Sequence, residues 1–122
     1  MKKILVVEDE ASLQNAIKEF LIAENFEVAV ASDGEAGVAM AKSEKPDLML
    51  LDVVLPKKDG FGVLTDIMAD EETKNIPVIL LTNLEGADDI EKAFSLGIKA
   101  YLVKANYKLE EIVEKIKEIL KM

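Results

Sequence analysis

Five short, nearly continuous apolar runs constrain this chain more than any other feature: Ile4 to Val7, Phe26 to Ala31, Leu48 to Leu51, Val78 to Leu81 and Ala100 to Val103. Runs that do not alternate with polar residues predict strands covered on both faces, the habit of a parallel sheet. Helical periods separate them. Leu13, Ile17, Phe20 and Leu21 form one apolar stripe, and Leu109, Ile112, Val113, Ile116, Ile119 and Leu120 form another backed by glutamate and lysine. Asp33 or Gly34 opens a helix that Pro46 closes, Gly60 to about Ala69 gives a third, and Ala87 to Leu96 ends at Gly97, a natural C-terminal cap. The alternation is βαβαβαβαβα. Right-handed crossovers then predict an α/β fold: a doubly wound five-stranded parallel sheet, order 2-1-3-4-5, flanked by five helices. No repeat, low-complexity tract or linker interrupts residues 1–122, which are expected to form one domain.

Charge and missing residue types exclude much chemistry. The formal charge is −9, from 24 acidic and 15 basic residues, which argues against a partner held by phosphate neutralisation, since DNA and RNA binders need a basic face. Every basic residue is lysine, which leaves an ammonium or the backbone for any phosphate contact. Cysteine and histidine are absent, which removes disulfides, thiol nucleophiles, zinc sites and histidine-dependent triads. Met1-Lys2-Lys3 leads into an apolar run too short for a signal peptide, and no run approaches the ~20 residues of a membrane span. The chain is therefore read as a soluble, cytoplasmic protein that contacts neither membrane nor nucleic acid.

Ligands of open α/β sheets bind beyond the carboxyl ends of the strands, where the strand order reverses. Here that point lies between the first and third strands. Glu8 and Asp9 follow the first and Asp52 ends the third, so three carboxylates converge there. Like charges at that range need a cation or a raised pKa, and magnesium is the natural hard, oxygen-loving ion. Taken singly, Glu8 and Asp9 are also what a helix start favours, and Asp52 also suits a strand-end turn. Thr82 ends the fourth strand and Lys104 the fifth, so one hydroxyl and one ammonium fall on the same edge.

These residues resemble the receiver domains of two-component response regulators over essentially the whole chain. Five features carry the resemblance: Val6-Val7-Glu8-Asp9-Glu10; Leu50-Leu51-Asp52 with Pro56 and Asp59-Gly60; Leu80-Leu81-Thr82; Gly97-Ile98-Lys99-Ala100-Tyr101; and Val103-Lys104. It implies a flavodoxin-like receiver in which Asp52 is the phosphoacceptor, and Glu8, Asp9, Asp52 and the Val54 carbonyl bind Mg2+. It also implies that Lys104 pairs with the carboxylate and then with the phosphoryl oxygens, and that Thr82 and Tyr101 act as the switch. Such a chain is no enzyme in the usual sense, but a phosphoacceptor that assists its own phosphorylation and slow autodephosphorylation. Because it lacks histidine, the donor is expected to be a sensor histidine kinase or phosphotransfer protein. The output is expected through the fourth helix, fifth strand and fifth helix, read by another protein or by a second copy in a phosphorylation-dependent dimer.

Three rivals compete. A haloacid-dehalogenase-type phosphohydrolase wants a second aspartate two positions after the nucleophile, where Val54 stands. A flavodoxin-like cofactor binder wants a glycine-rich phosphate loop after the first strand, where acidic residues stand instead. The third is a receiver-like interaction module that no longer depends on phosphorylation. It is raised by Ala105, where the family usually has proline, and by Asn83 and Leu84 in place of a small alanine. All five functional side chains remain, which favours the active receiver. A cis Lys104–Ala105 bond would cost about 2.5–4 kcal/mol against about 0.5–1 for a prolyl bond, so a trans bond is expected, with Lys104 still reaching Asp52.

Overall fold

A computed structural model describes residues 1–122, the whole sequence. Strands β1 (Lys3–Val7), β2 (Glu27–Ala31), β3 (Leu48–Leu51), β4 (Val78–Thr82) and β5 (Ala100–Val103) form one sheet in the order β2-β1-β3-β4-β5. Every neighbouring pair is parallel. Helices α1 (Ala11–Ala23), α2 (Gly34–Glu44), α3 (Gly60–Ala69), α4 (Ala87–Ser95) and α5 (Leu109–Leu120) make the crossovers and the C-terminal cover. This is the doubly wound, flavodoxin-like arrangement that the apolar runs predict.

The core has two layers because successive strand residues point to opposite faces. Ile4, Val6, Leu48, Leu50, Ile79, Leu81 and Leu102 meet Ile17 and Leu21 of α1 and Ile112, Val113 and Ile116 of α5. Leu5, Val7, Met49, Leu51, Val78 and Leu80 face the other way, toward Ala41 of α2, Val63, Leu64 and Ile67 of α3, and Ala93 of α4. Burying one such side chain contributes about 1.5–3 kcal/mol, and both layers draw on the same strands.

Side-chain caps set the two helices that flank the acidic edge. Asp33 accepts from Ala36 N–H at 2.7 Å to start α2, and Asp59 accepts from Gly62 N–H at 2.9 Å to start α3. Gly97 follows α4 with φ +99°, which only glycine adopts cheaply.

The structure departs from the sequence pattern in three places. Phe26 lies outside β2: its N–H donates to Leu21 O, and its ring is buried at the foot of α1. β2 is an edge strand, exposed at Glu27 and half-buried over Val28 to Val30, so its apolar run does not mean full cover. Lys104 is not the last residue of β5 but the first of a short 3-10 turn, Lys104–Asn106.

Candidate functional site

Register brings the acidic residues together. Val7 of β1 lies opposite Ala31 of β2 and Leu51 of β3, so the next residues of β1 and β3, Glu8 and Asp52, leave the sheet side by side. The ladders run one step further: Glu8 N–H donates to Ala31 O at 3.0 Å, and Asp52 N–H to Val7 O at 3.1 Å. Both residues are buried, at 3% and 6% exposure, while Asp9 is exposed. One carboxylate oxygen from each of the three lies within 4.8 Å of the others.

Lys104 is the counter-charge. Its Nζ lies 2.7 Å from Asp52 Oδ2 and 2.7 Å from Glu8 Oε1. Burial opposes the charge on this ammonium, but the hydrogen bonds and negative charge of Asp52 and Glu8 outweigh it and hold the pKa above the ordinary lysine value. Glu8 Oε2 accepts from Glu10 N–H at 3.0 Å, and Asp52 Oδ1 accepts from Val54 N–H at 3.3 Å. No peptide bond is cis, so Lys104–Ala105 is trans and the lysine still reaches Asp52.

Thr82 and Tyr101 meet through the loop after β4. Thr82 is fully buried at the end of β4, and its Oγ1 accepts from Leu84 N–H at 3.5 Å. Tyr101 lies on β5, with its hydroxyl donating to Leu84 O at 2.7 Å. Burial, then the negative charge of Asp89 and Asp52, raises the pKa of this phenol. Val54 stands beside the cluster with its side chain 63% exposed.

Sequence reasoning passed over Gln14, and it noted Leu84 only as a departure from the family's small residue. The Gln14 side chain reaches Glu8 O, Ala31 O and Ser32 Oγ, partners remote in sequence that no local signal announces. Leu84 joins Thr82 to Tyr101 through backbone atoms, which leave no trace in residue type. Gly60 is explained by contact: a Cβ there would lie 2.5 Å from Asp52 O, so a side chain at the head of α3 would push away the loop that begins at Asp52.

A doubly wound sheet with an acidic cluster, a half-buried lysine and a strand-end hydroxyl at its carboxyl edge defines a class of small signalling domain. The model of the response regulator receiver domain matches residues 4–117, and the chain belongs to that family. It is 42% identical over 122 residues to the transcriptional regulatory protein CiaR of Streptococcus pneumoniae, covering 99% of this chain and 52% of that one. The chain thus spans about half the length of the curated relatives it matches. Among solved structures it resembles the receiver domain of sensor histidine kinase PA1611 from Pseudomonas aeruginosa, with TM-score 0.89, 29% identity, and coverage of 99% of this chain and 98% of that one. That structure has a magnesium ion coordinated in its active-site cleft. The Mn2+-bound form of response regulator Rcp1 matches with TM-score 0.82 and 33% identity, over 98% of this chain and 94% of that one.

The donor set fits a small hard cation. Magnesium holds oxygens at about 2.1 Å, so ligands on opposite sides of the ion lie about 4.2 Å apart. The three carboxylate oxygens, within 4.8 Å of one another, are near enough to share one such ion. No helix is long and apolar enough to cross a membrane.

Proposed function

We propose that Asp52 accepts a phosphoryl group from a phosphohistidine on a sensor kinase or phosphotransfer protein, and that this chain relays the event by a change of shape. The observation that carries the reading is the Lys104 ammonium at 2.7 Å from both Asp52 and Glu8. It puts a fixed positive charge against the carboxylate that has to react. An Asp52 oxygen bonds to phosphorus as the bond from phosphorus to the donor nitrogen breaks, and the electron pair returns to the imidazole. Lys104 then follows the charge from the carboxylate to the phosphoryl oxygens. Glu8, Asp9, Asp52 and the Val54 carbonyl would hold Mg2+, which when bound offsets negative charge on the transferred group.

Thr82 supplies the readout. Its bond from Leu84 N–H is long, at 3.5 Å, so a hydroxyl that turns to donate to a phosphoryl oxygen gives up little. The loop then shifts at Leu84, whose carbonyl is the partner of Tyr101. The surface formed by α4, β5 and α5 carries the signal to a downstream protein or to a second copy, in a dimer that forms on phosphorylation. The phosphoryl group is lost slowly by autodephosphorylation, and the setting is the cytoplasm. Ala105 does not unseat Lys104, which weighs against one of the two departures behind a phosphorylation-independent module.

The test is phosphorylation with radiolabelled acetyl phosphate, with and without Mg2+. The unaltered chain is expected to take up acid-stable, alkali-labile label only with the metal, and Asp52→Asn to remain folded and unlabelled. Undiminished labelling of Asp52→Asn would sink the assignment.

A further inference from the structure

We infer that Gln14, on the second turn of α1, is a positioning residue for the metal site: it fixes the peptide plane that joins Glu8 to Asp9. The inference rests on the metal reading above and goes beyond the carboxylates themselves. The Gln14 amide nitrogen lies 2.9 Å from Glu8 O, 3.2 Å from Ala31 O and 3.1 Å from Ser32 Oγ. It therefore ties the exit of β1 to the exit of β2 from a helix that packs on both.

The Glu8 carbonyl and the Asp9 amide belong to one rigid peptide unit, so a bond that holds the carbonyl also sets the direction in which Asp9 leaves. Glu8 is held four ways: its N–H by Ala31 O, its carbonyl by Gln14, one carboxylate oxygen by Glu10 N–H and the other by Lys104. Asp9 is exposed, so packing does not hold its carboxylate beside its neighbours. Glu8, Asp9 and Asp52 repel one another, and the exposed residue is the one free to swing out. Fixing the Glu8–Asp9 plane opposes that swing before a cation arrives. Ala31 O accepts from both Glu8 N–H and Gln14, which closes a ring of hydrogen bonds around the turn.

The test is a Mg2+ titration followed by backbone amide shifts, in a thermodynamic cycle with Asp9→Asn. Gln14→Met keeps the length of the side chain and removes its donors. It is expected to weaken Mg2+ binding about ten-fold or more, as loss of an outer-shell partner does, while in the Asp9→Asn background it costs little further. Gln14→Asn, a milder change whose shorter amide cannot span the same partners, is expected to show the same ordering at smaller size. Unchanged affinity in both Gln14 variants, or equal losses with and without Asp9, would overturn the role. If the unaltered chain bound no Mg2+, the metal reading would fall and this inference with it.

Discussion

Replacing Asp9 by alanine removes a carboxylate that is exposed and makes no internal hydrogen bond, so its loss isolates the metal contribution from the fold. Mg2+ affinity in a calorimetric titration is expected to fall about ten-fold or more, with unfolding free energy altered by no more than about 0.5 kcal/mol. Equal affinity would contradict a ligand role. Lys104→Met has the opposite profile. It leaves Glu8 and Asp52 facing each other without a counter-charge, and breaking such a buried pair costs up to about 3–5 kcal/mol. Denaturation of the variant at neutral pH is expected to show a loss that added Mg2+ partly restores. Because folding raises the Lys104 pKa above 10.5, its contribution is fully present below that value and disappears as pH climbs through the higher folded value. The stability gap between Lys104→Met and the unaltered chain should thus be flat through neutral pH and close only in strong alkali. Glu8, Asp9, Asp52 and Lys104 were legible in the sequence because each follows an apolar run, and strand ends are where this fold collects side chains. Gln14 was not, since its partners stand at positions 8, 31 and 32 and come together only after the sheet has formed.

At the level of elements, α3 begins where the loop after β3 ends, and the two are in direct contact. Gly60 N–H donates to Val53 O at 2.7 Å, and a Cβ on Gly60 would lie 2.7 Å from Val53 Cα. Gly60→Ala must therefore move either the helix or the loop that carries Asp52. The expected cost is about 1–3 kcal/mol in chemical denaturation, together with slower labelling by acetyl phosphate. Normal labelling with normal stability would show that the close approach has no consequence. Phe61 follows, and the Lys92 ammonium of α4 sits 4.4 Å from its ring centroid, so α4 touches the head of α3 as well as the loop after β4. The extents of α3 and α5 were readable closely, since Gly60 to about Ala69 covers one and the apolar stripe from Leu109 to Leu120 spans the other. The 3-10 turn at Lys104 was not readable. Nothing in Val103-Lys104-Ala105 distinguishes the end of a strand from the start of a tight turn, and the two carboxylates that Lys104 meets there stand far off in sequence.

Over the whole molecule, a charge of −9 spread on 122 residues opposes compaction. Monovalent salt shortens the screening length from about 30 Å at 0.01 M to about 8 Å at 0.15 M, so the thermal midpoint is expected to rise over that range. A midpoint that falls would mean that local ion pairs such as Lys42–Asp70 outweigh the general repulsion. The strand order was legible because five covered strands with helical crossovers have few ways to wind; the half-bare state of β2 was not, since an edge position follows from topology and leaves the run of residues unchanged. Parallel strands have a further effect. All five point their carboxyl ends the same way, so β1 sets out from the opposite rim, and α5, which starts beyond β5, returns to that rim, where Lys117 meets Glu24 at the foot of α1. Both ends of the polypeptide thus emerge on the side away from Asp52. A fluorescent protein, surface tether or neighbouring module spliced to either end is therefore joined on the far side of the sheet from the acidic cluster.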